Sequence, residues 1–363
     1  MTRQVWASVT AALVVGLLAM GCGAGAEDDG TDQVINMGTP PTTVVDASVT
    51  PPGTTTPPGM TTPPGMVTPP GMVTPPGMTT PRADAGTAMP DGGSTNSTPD
   101  SGTPAPMGAG NCCPDGNCLC STPPPTRLSA ARGPFKTARI SVSSGTIYYP
   151  TDGKPPYGGV AIIPGFTNIG PEMEAWGPFY ASWGIVCEIT SSGPLDTPSI
   201  RAVWLGDAIK AMKAENTKAG SPLNGKMAGR YGTSGYSMGG GGTTYATQTD
   251  KTLKTSIGLA PWSPVGTGIT TPTLHFCGSV DIVADCSHAQ WSYDSIPAAT
   301  PKMMITISGC DHLTCWFGPN DTGGHSGGWG LAFQKVYLEG DTRWKPLLLG
   351  KPSGATVQTN IKM

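Results

Sequence analysis

The chain is 363 residues long and 37% hydrophobic, yet only 12% is charged, against 52 glycines and 39 prolines. The first 22 residues hold one basic side chain, the next 88 hold one basic and eight acidic, and the remainder nineteen basic and sixteen acidic. That near-neutral body offers no field for nucleic acid, and a single short, N-terminal apolar stretch excludes a multi-span membrane protein.

Residues 1–22 read as an export signal: Arg3 gives the positive start, Ala11 to Met20 the apolar segment, and Ala19-Met20-Gly21-Cys22 a small-residue processing site. A cysteine directly after such a site resembles a lipoprotein lipobox, which makes Cys22 a lipid anchor at the cell surface. The alternative is ordinary cleavage near Ala24 or Ala26. Either route takes the chain out of the cytoplasm, where its ten cysteines are free to form disulfides.

Residues 23–110 read as a disordered stalk. Thr-Pro-Pro-Gly recurs at Thr50, Thr56, Thr62, Thr68 and Thr74, and proline pairs with sparse apolar residues bury too little surface to offset the entropy of ordering. A collagen-like helix is excluded, because glycine does not fall at every third position. Residues 111–125 carry Cys112, Cys113, Cys118 and Cys120, without a nearby histidine or two clean Cys-x-x-Cys pairs, so the spacing favours a small disulfide knot over zinc. Residues 351–363 read as a C-terminal tail.

Residues 126–350 read as the one globular domain, large enough for a substantial core. Strands are expected at 145–150, 159–165, 183–189, 272–277 and 302–308, with helical spacing over Ser199 to Lys213. The alternation implies an α/β fold with a mainly parallel sheet. Within it, Gly235-Tyr236-Ser237-Met238-Gly239 has the pattern of a nucleophile elbow, a turn so tight that only small residues fit beside the serine. A serine nucleophile needs an imidazole base, and there are four histidines. His275 lies inside a strand before any suitable acid, and His325 follows the polar run 320–324, read as a flexible loop. No strand separates His288 from Asp281. Asp281 and His312 each follow a strand, in the order serine, acid, histidine that the elbow requires. Ser237, Asp281 and His312 form the well-placed set, with Asp285 as reserve acid.

Beyond the elbow, Gly145 to Pro150, Pro164-Gly165-Phe166-Thr167, Leu195-Asp196-Thr197-Pro198 with Arg201, Ala260-Pro261-Trp262 and Asp341-Thr342-Arg343 complete a set of shared blocks. With them the domain resembles the bacterial cutinase and polyester-hydrolase branch of the α/β-hydrolases, which includes enzymes cleaving poly(ethylene terephthalate). The resemblance covers nearly all of residues 133–349 and implies an α/β-hydrolase fold with the triad at Ser237, Asp281 and His312. It also implies an oxyanion hole of the Phe166 and Met238 amides, and substrate-binding roles for Phe166 and Trp262. Phe166 departs from the tyrosine frequent in the family. Some members of that family join the acid and base loops by a disulfide, at positions shifted by about a residue from the cysteines here. Four cysteines near those loops allow three pairings, and the resemblance favours Cys277–Cys310 with Cys286–Cys315, leaving Cys187 a buried thiol.

The expectation is an extracellular, monomeric serine esterase of the cutinase and PET hydrolase type, acting on polyesters without cofactor or metal. A small-ester or lipid esterase, and a surface module with a vestigial triad, are the competing readings.

Overall fold

A computed structural model describes residues 118–363. The export signal, the stalk and residues 111–117 of the cysteine-rich segment lie outside the described residues. Among the described residues nine strands form one sheet: β1 (Thr137–Val142), β2 (Gly145–Pro150), β3 (Tyr157–Ile163), β4 (Ile185–Thr190), β5 (Met227–Tyr236), β6 (Thr255–Leu259), β7 (Thr273–Gly278), β8 (Lys302–Ile307) and β9 (Ala355–Thr359). Their spatial order is β1-β2-β4-β3-β5-β6-β7-β8-β9. From β4 to β8 all pairs are parallel, while β1, β2 and β9 add antiparallel edges. This is the α/β-hydrolase fold. The helices are α1 (Trp176–Ser182), α2 (Pro198–Thr217), α3 (Met238–Thr249), α4 (Cys286–Ser295), α5 (His325–Tyr337) and the short α6 (Lys345–Leu348).

Central strands buried on both faces read as continuous apolar runs, and β3 and β4 are buried at every position. One face of the sheet packs Trp176, Phe179, Tyr180, Phe333 and Trp344 from the helices against Ile162, Leu274 and Ile305. The other face packs Leu205, Ile209 and Met212 of α2 against Ile147, Ala161 and Val186. Four strands escaped the apolar-run criterion, each for a physical reason. The edges β1 and β9 alternate between partly buried and exposed positions. The central strand β5 carries Gly229, Arg230, Gly232 and Thr233, and β6 buries Thr255 and Ser256 through hydrogen bonds to Gln334 (2.7 Å) and Thr243 (2.9 Å). Polar side chains satisfied inside the core hide a buried strand from hydropathy.

Two boundaries move. The expected C-terminal tail supplies β9, whose Val357 pairs with Ile305. At the other end the fold begins before residue 126, because residues 119–122 lie across α5 and the turn after it. Leu119 N–H donates to Glu339 O (2.9 Å), and Ser121 Oγ donates to Glu339 Oε1 (2.7 Å). Arg343 and the Trp344 indole N–H both donate to Thr122 O (3.4 Å each). Beneath this strap Lys335 and Glu339 form a fully buried pair at 2.8 Å. Cys118 and Cys120 are both disulfide-bonded.

Glu188 on β4 is fully buried, with one carboxyl oxygen accepting from Ser144 Oγ (2.5 Å) and the other without a partner among the described residues. Burial pushes its pKa from 4.5 up to about 8, against the smaller opposing effect of the Ser144 bond. The folded state therefore holds this proton more tightly than the unfolded chain does. The stability it confers is full below the unfolded pKa, declines as pH rises from 4.5, and is gone above about 8. Glu188→Gln, which cannot ionise, is expected to raise Tm near pH 9 and change it little near pH 5, measured by thermal unfolding at both.

Candidate active site

The site lies at the C-terminal ends of the parallel strands, where β5 turns into α3. The turn holds Ser237 at φ 53°, ψ −119°, a strained conformation for a residue with a β-carbon. Three contacts fix it. Ser237 N–H donates to Leu259 O (2.9 Å), and the Ser237 carbonyl accepts from the N–H groups of Trp262 (2.8 Å) and Gly241 (3.0 Å). The glycines that follow admit this packing: a β-carbon on Gly239 would lie 2.4 Å from Pro164 O, and one on Gly241 would lie 2.1 Å from Trp262 O.

The loops after β7 and β8 bring an acid and an imidazole to this serine. His312 Nε2 lies 2.9 Å from Ser237 Oγ, and His312 Nδ1 lies 2.7 Å from Asp281 Oδ2. All three residues are buried, the serine 6% exposed, so the chain of hydrogen bonds is shielded but within reach of a substrate. Asp281 Oδ1 accepts from the N–H groups of Val283 and Ala284, both at 2.8 Å, which fixes the carboxylate plane. Tyr236 O–H donates to the His312 carbonyl (2.6 Å) and its ring lies 5.1 Å from the imidazole. Nothing in the sequence pattern marked these supports, since two are backbone amides and Tyr236 reads as the variable position of the elbow.

Phe166 and Met238, half-buried, flank the serine, and neither backbone N–H has a hydrogen-bond partner among the described residues. Met238 opens α3, where the first N–H groups lack intrahelical acceptors. The Phe166 loop is held from behind by the buried Arg201 of α2. Its guanidinium donates to Pro164 O (3.0 Å), Asp196 O (2.9 Å), Gly193 O (3.2 Å) and Ser192 Oγ. Thr167 N–H also donates to Pro194 O (2.7 Å). Burial lowers the Arg201 pKa only to about 10, so it stays charged at neutral pH, beside Asp196.

The PETase family model, described as PET hydrolase-like, matches residues 116–363. The chain belongs to the PET hydrolase-like family. It is 34% identical over 248 residues to a bis(hydroxyethyl) terephthalate hydrolase of Streptomyces coelicolor, a match spanning 63% of this chain and 76% of that protein. Identity to Cutinase est1 of Thermobifida alba is 33% over 243 residues, covering 63% and 79% of the two chains. For Cutinase 1 of Thermobifida cellulosilytica it is 32% over 238 residues, covering 62% and 88%.

In this PET hydrolase-like chain the remaining predicted residues fall as follows. Trp262 is half-buried, with its ring stacked on His288 at 4.6 Å; it lies outside the core clusters. His288 Nδ1 accepts from Ser263 N–H (3.2 Å). The reserve acid Asp285 is occupied elsewhere, capping α4 by accepting from Ser287 N–H (2.8 Å). His275 is buried against Ser292 Oγ (2.9 Å) and pushed down to about 4 by burial. His325, expected in a flexible loop, is the first residue of α5, and its Nε2 lies 2.7 Å from Ser353 O.

The disulfides differ from the expected pairing. Cys277 joins Cys286, and Cys310 joins Cys315, with Cα separations of 5.3 and 5.8 Å; Cys187 is a buried free thiol. Each loop folds back on itself. The Asp285 cap starts α4 over the end of β7, and Asp311 Oδ1 accepts from Leu313 and Thr314 N–H groups in a turn that returns Cys315 to Cys310. The acid and base loops are tied together by hydrogen bonds instead, from Val280 N–H to Cys310 O (3.2 Å) and from Gly309 N–H to Ser279 Oγ (2.9 Å).

Proposed function

We propose that this protein is a serine carboxylic-ester hydrolase that cleaves polyesters through an acyl-enzyme on Ser237. The observation that carries the reading is the continuous line from Ser237 Oγ through His312 to Asp281, set beside two amides without a partner among the described residues. Family membership, and relatives named as cutinases and as a bis(hydroxyethyl) terephthalate hydrolase, support esters as the substrate class.

In this mechanism His312 Nε2 accepts the Ser237 proton as Oγ attacks the ester carbonyl. The Phe166 and Met238 amides receive the developing oxyanion, and Asp281 holds the imidazole and stabilises its protonated form. Collapse expels the alcohol, which takes the proton from His312. Water, deprotonated by the same imidazole, then attacks the acyl-enzyme and releases the acid. Phe166 and Trp262 wall the cleft, and flat diacid units gain roughly 0.5 to 1.5 kcal/mol per offset stack beyond burial. The reading places the enzyme outside the cytoplasm, monomeric, with Cys22 as an anchor and without cofactor or nucleic acid.

The segment 319–328, the longest candidate for a lid, leads into α5, where Ser326, Gly327 and Gly328 are buried. That arrangement favours an open cleft over a lipase that is activated at an interface. The test is release of soluble acid from aliphatic and aromatic polyester films beside tributyrin. Hydrolysis of the aliphatic film, with slower aromatic release, is expected; activity confined to triglycerides would transfer the enzyme to the lipid esterases. Trp262→Ala is expected to lower film hydrolysis about tenfold and p-nitrophenyl butyrate cleavage less than about threefold, since a short ester spans only the reacting centre. Equal losses would assign the tryptophan a structural role.

A further inference from the structure

Among the described residues, the exposed large apolar side chains are not scattered. Apart from Met363, they all follow the C-terminal ends of β3, β4, β7 and β8, the edge of the sheet that carries Ser237. Residues flanking Asp281 and His312 account for part of this. Of the rest, Ile169 and Trp291 stand singly, while Leu195, Ile200, Val203 and Trp204 form a strip.

Ile200, Val203 and Trp204 stand three and four residues apart in the first turns of α2, so they share one helix face. Val203 is 62% exposed and Leu195 67%. The face changes character along the helix. One turn further from the site it presents Asp207 and Lys210, paired at 2.8 Å and well hydrated. Solvent exposure is common to both halves, so exposure alone does not explain why only the half beside the site is apolar. Contiguous exposed apolar surface marks a contact site.

The strip is also continuous with the cleft. Pro194, next to Leu195, accepts from the N–H of Thr167, next to Phe166. A β-carbon on Gly241 would touch both Trp262 O and Pro198 Cβ (3.1 Å), so the start of α2 abuts the loop that carries Trp262. The indole N–H of Trp204 is tied to Asp196 Oδ2 (2.9 Å), whose carboxylate also accepts from Gly193 N–H (2.6 Å). Trp204 is thereby fixed to the loop that supports Phe166.

We propose that this strip is the docking surface for solid polyester, holding the enzyme on the polymer with its serine facing the chains. The inference rests on the polyester reading above. A patch on the same edge as Ser237 orients the nucleophile toward an adsorbing solid, whereas pairing with a second copy would cover the cleft mouth. Four side chains also fall short of the roughly 800 Å² that each partner gives to a stable dimer.

The test separates adsorption from turnover. Full-length chain carrying Ser237→Ala is equilibrated with aliphatic polyester film and with cellulose film, with and without Ile200→Gln and Val203→Gln. These two changes leave Trp204 and its tie to Asp196 intact. The expected result is that the double change lowers adsorption on polyester about tenfold and leaves cellulose unaffected. In the active chain, p-nitrophenyl butyrate cleavage is expected to stay within about twofold, because the strip lies outside the reacting centre. Unchanged adsorption would overturn the proposal while leaving the hydrolase reading intact. So would a loss of adsorption that accompanies a shift from dimer to monomer in light scattering. If the parent chain neither adsorbs to nor hydrolyses any polyester, the substrate reading itself fails, and the inference with it.

Discussion

Replacing Ser237 with alanine is expected to abolish ester hydrolysis, by more than about 10⁴-fold in kcat, with Tm and the far-ultraviolet spectrum unchanged. The hydroxyl is the only atom removed, and its recorded partner is His312 Nε2, so the core loses nothing. His312→Ala is expected to fall to a similar level. Asp281→Asn is the more informative change. Its carbonyl oxygen can still accept from Val283 and Ala284, which leaves the amide NH₂ facing His312 Nδ1 and enforces the wrong tautomer. A loss of about 10⁴-fold in kcat is expected from that exchange on triads of other folds. The double variant Ser237→Ala, His312→Ala should be no slower than either single variant, because the residues act as a unit. Asp285→Ala, by contrast, removes the α4 helix cap and should cost about 1 kcal/mol of stability with activity near the parent value. Activity near the parent in Asp281→Asn would transfer the acid role to another carboxylate.

A second large effect is expected far from the serine. Lys335 is fully buried, and its ammonium donates to Glu339 Oε1, Trp183 O (2.6 Å) and Ser121 Oγ. Burial lowers its pKa, which Glu339 partly offsets. Lys335→Met keeps the volume but leaves a buried carboxylate without its counter-charge, a defect costing about 3 to 5 kcal/mol. In a domain of this size that corresponds to a fall in Tm of about 10 °C. The paired change Lys335→Met, Glu339→Leu should recover much of the loss, since replacing both charges removes the desolvation cost together with the attraction. The same network governs truncation. A chain beginning at Thr126 lacks Ser121 and Thr122 and uncovers the pair, so it is expected to melt well below one beginning at Asn111. Equal melting curves would show that the strap contributes nothing to stability.

The sequence revealed the parts of this molecule that follow from local pattern. The apolar runs at β3 and β8 announced buried parallel strands, and the Gly235 to Gly239 pentapeptide marked the turn. Chain order then separated His312 from three other histidines, whose actual partners are Ser292, the Trp262 ring with Ser263 N–H, and the Thr322 and Ser353 carbonyls. Interactions that depend on the direction of a side chain in three dimensions were not legible. Spacing placed the four cysteines near two adjacent loops, where several pairings satisfy proximity, and only the turns at Asp285 and Asp311 decide between them. The strap across Lys335 was hidden for the same reason. A lysine and a glutamate four apart on a helix ordinarily lie on a solvated face, and no local pattern shows that a segment more than 200 residues earlier covers them. Arg201 is a mixed case: its place in a shared block was visible, but its five acceptors around the Phe166 loop were not.

The central claim is that Ser237 is the nucleophile of a working triad, and covalent trapping addresses it most directly. A p-nitrophenyl phosphonate ester should form one Ser237 Oγ–phosphorus bond as p-nitrophenolate leaves and His312 takes the serine proton. Peptide mass spectrometry of the full chain is expected to find a single phosphonyl adduct on the peptide containing Gly235 to Gly239. Labelling should proceed at a rate that falls at least about 10³-fold in His312→Ala. An adduct on any other residue, or ester turnover persisting after Ser237 is fully modified, would contradict the account.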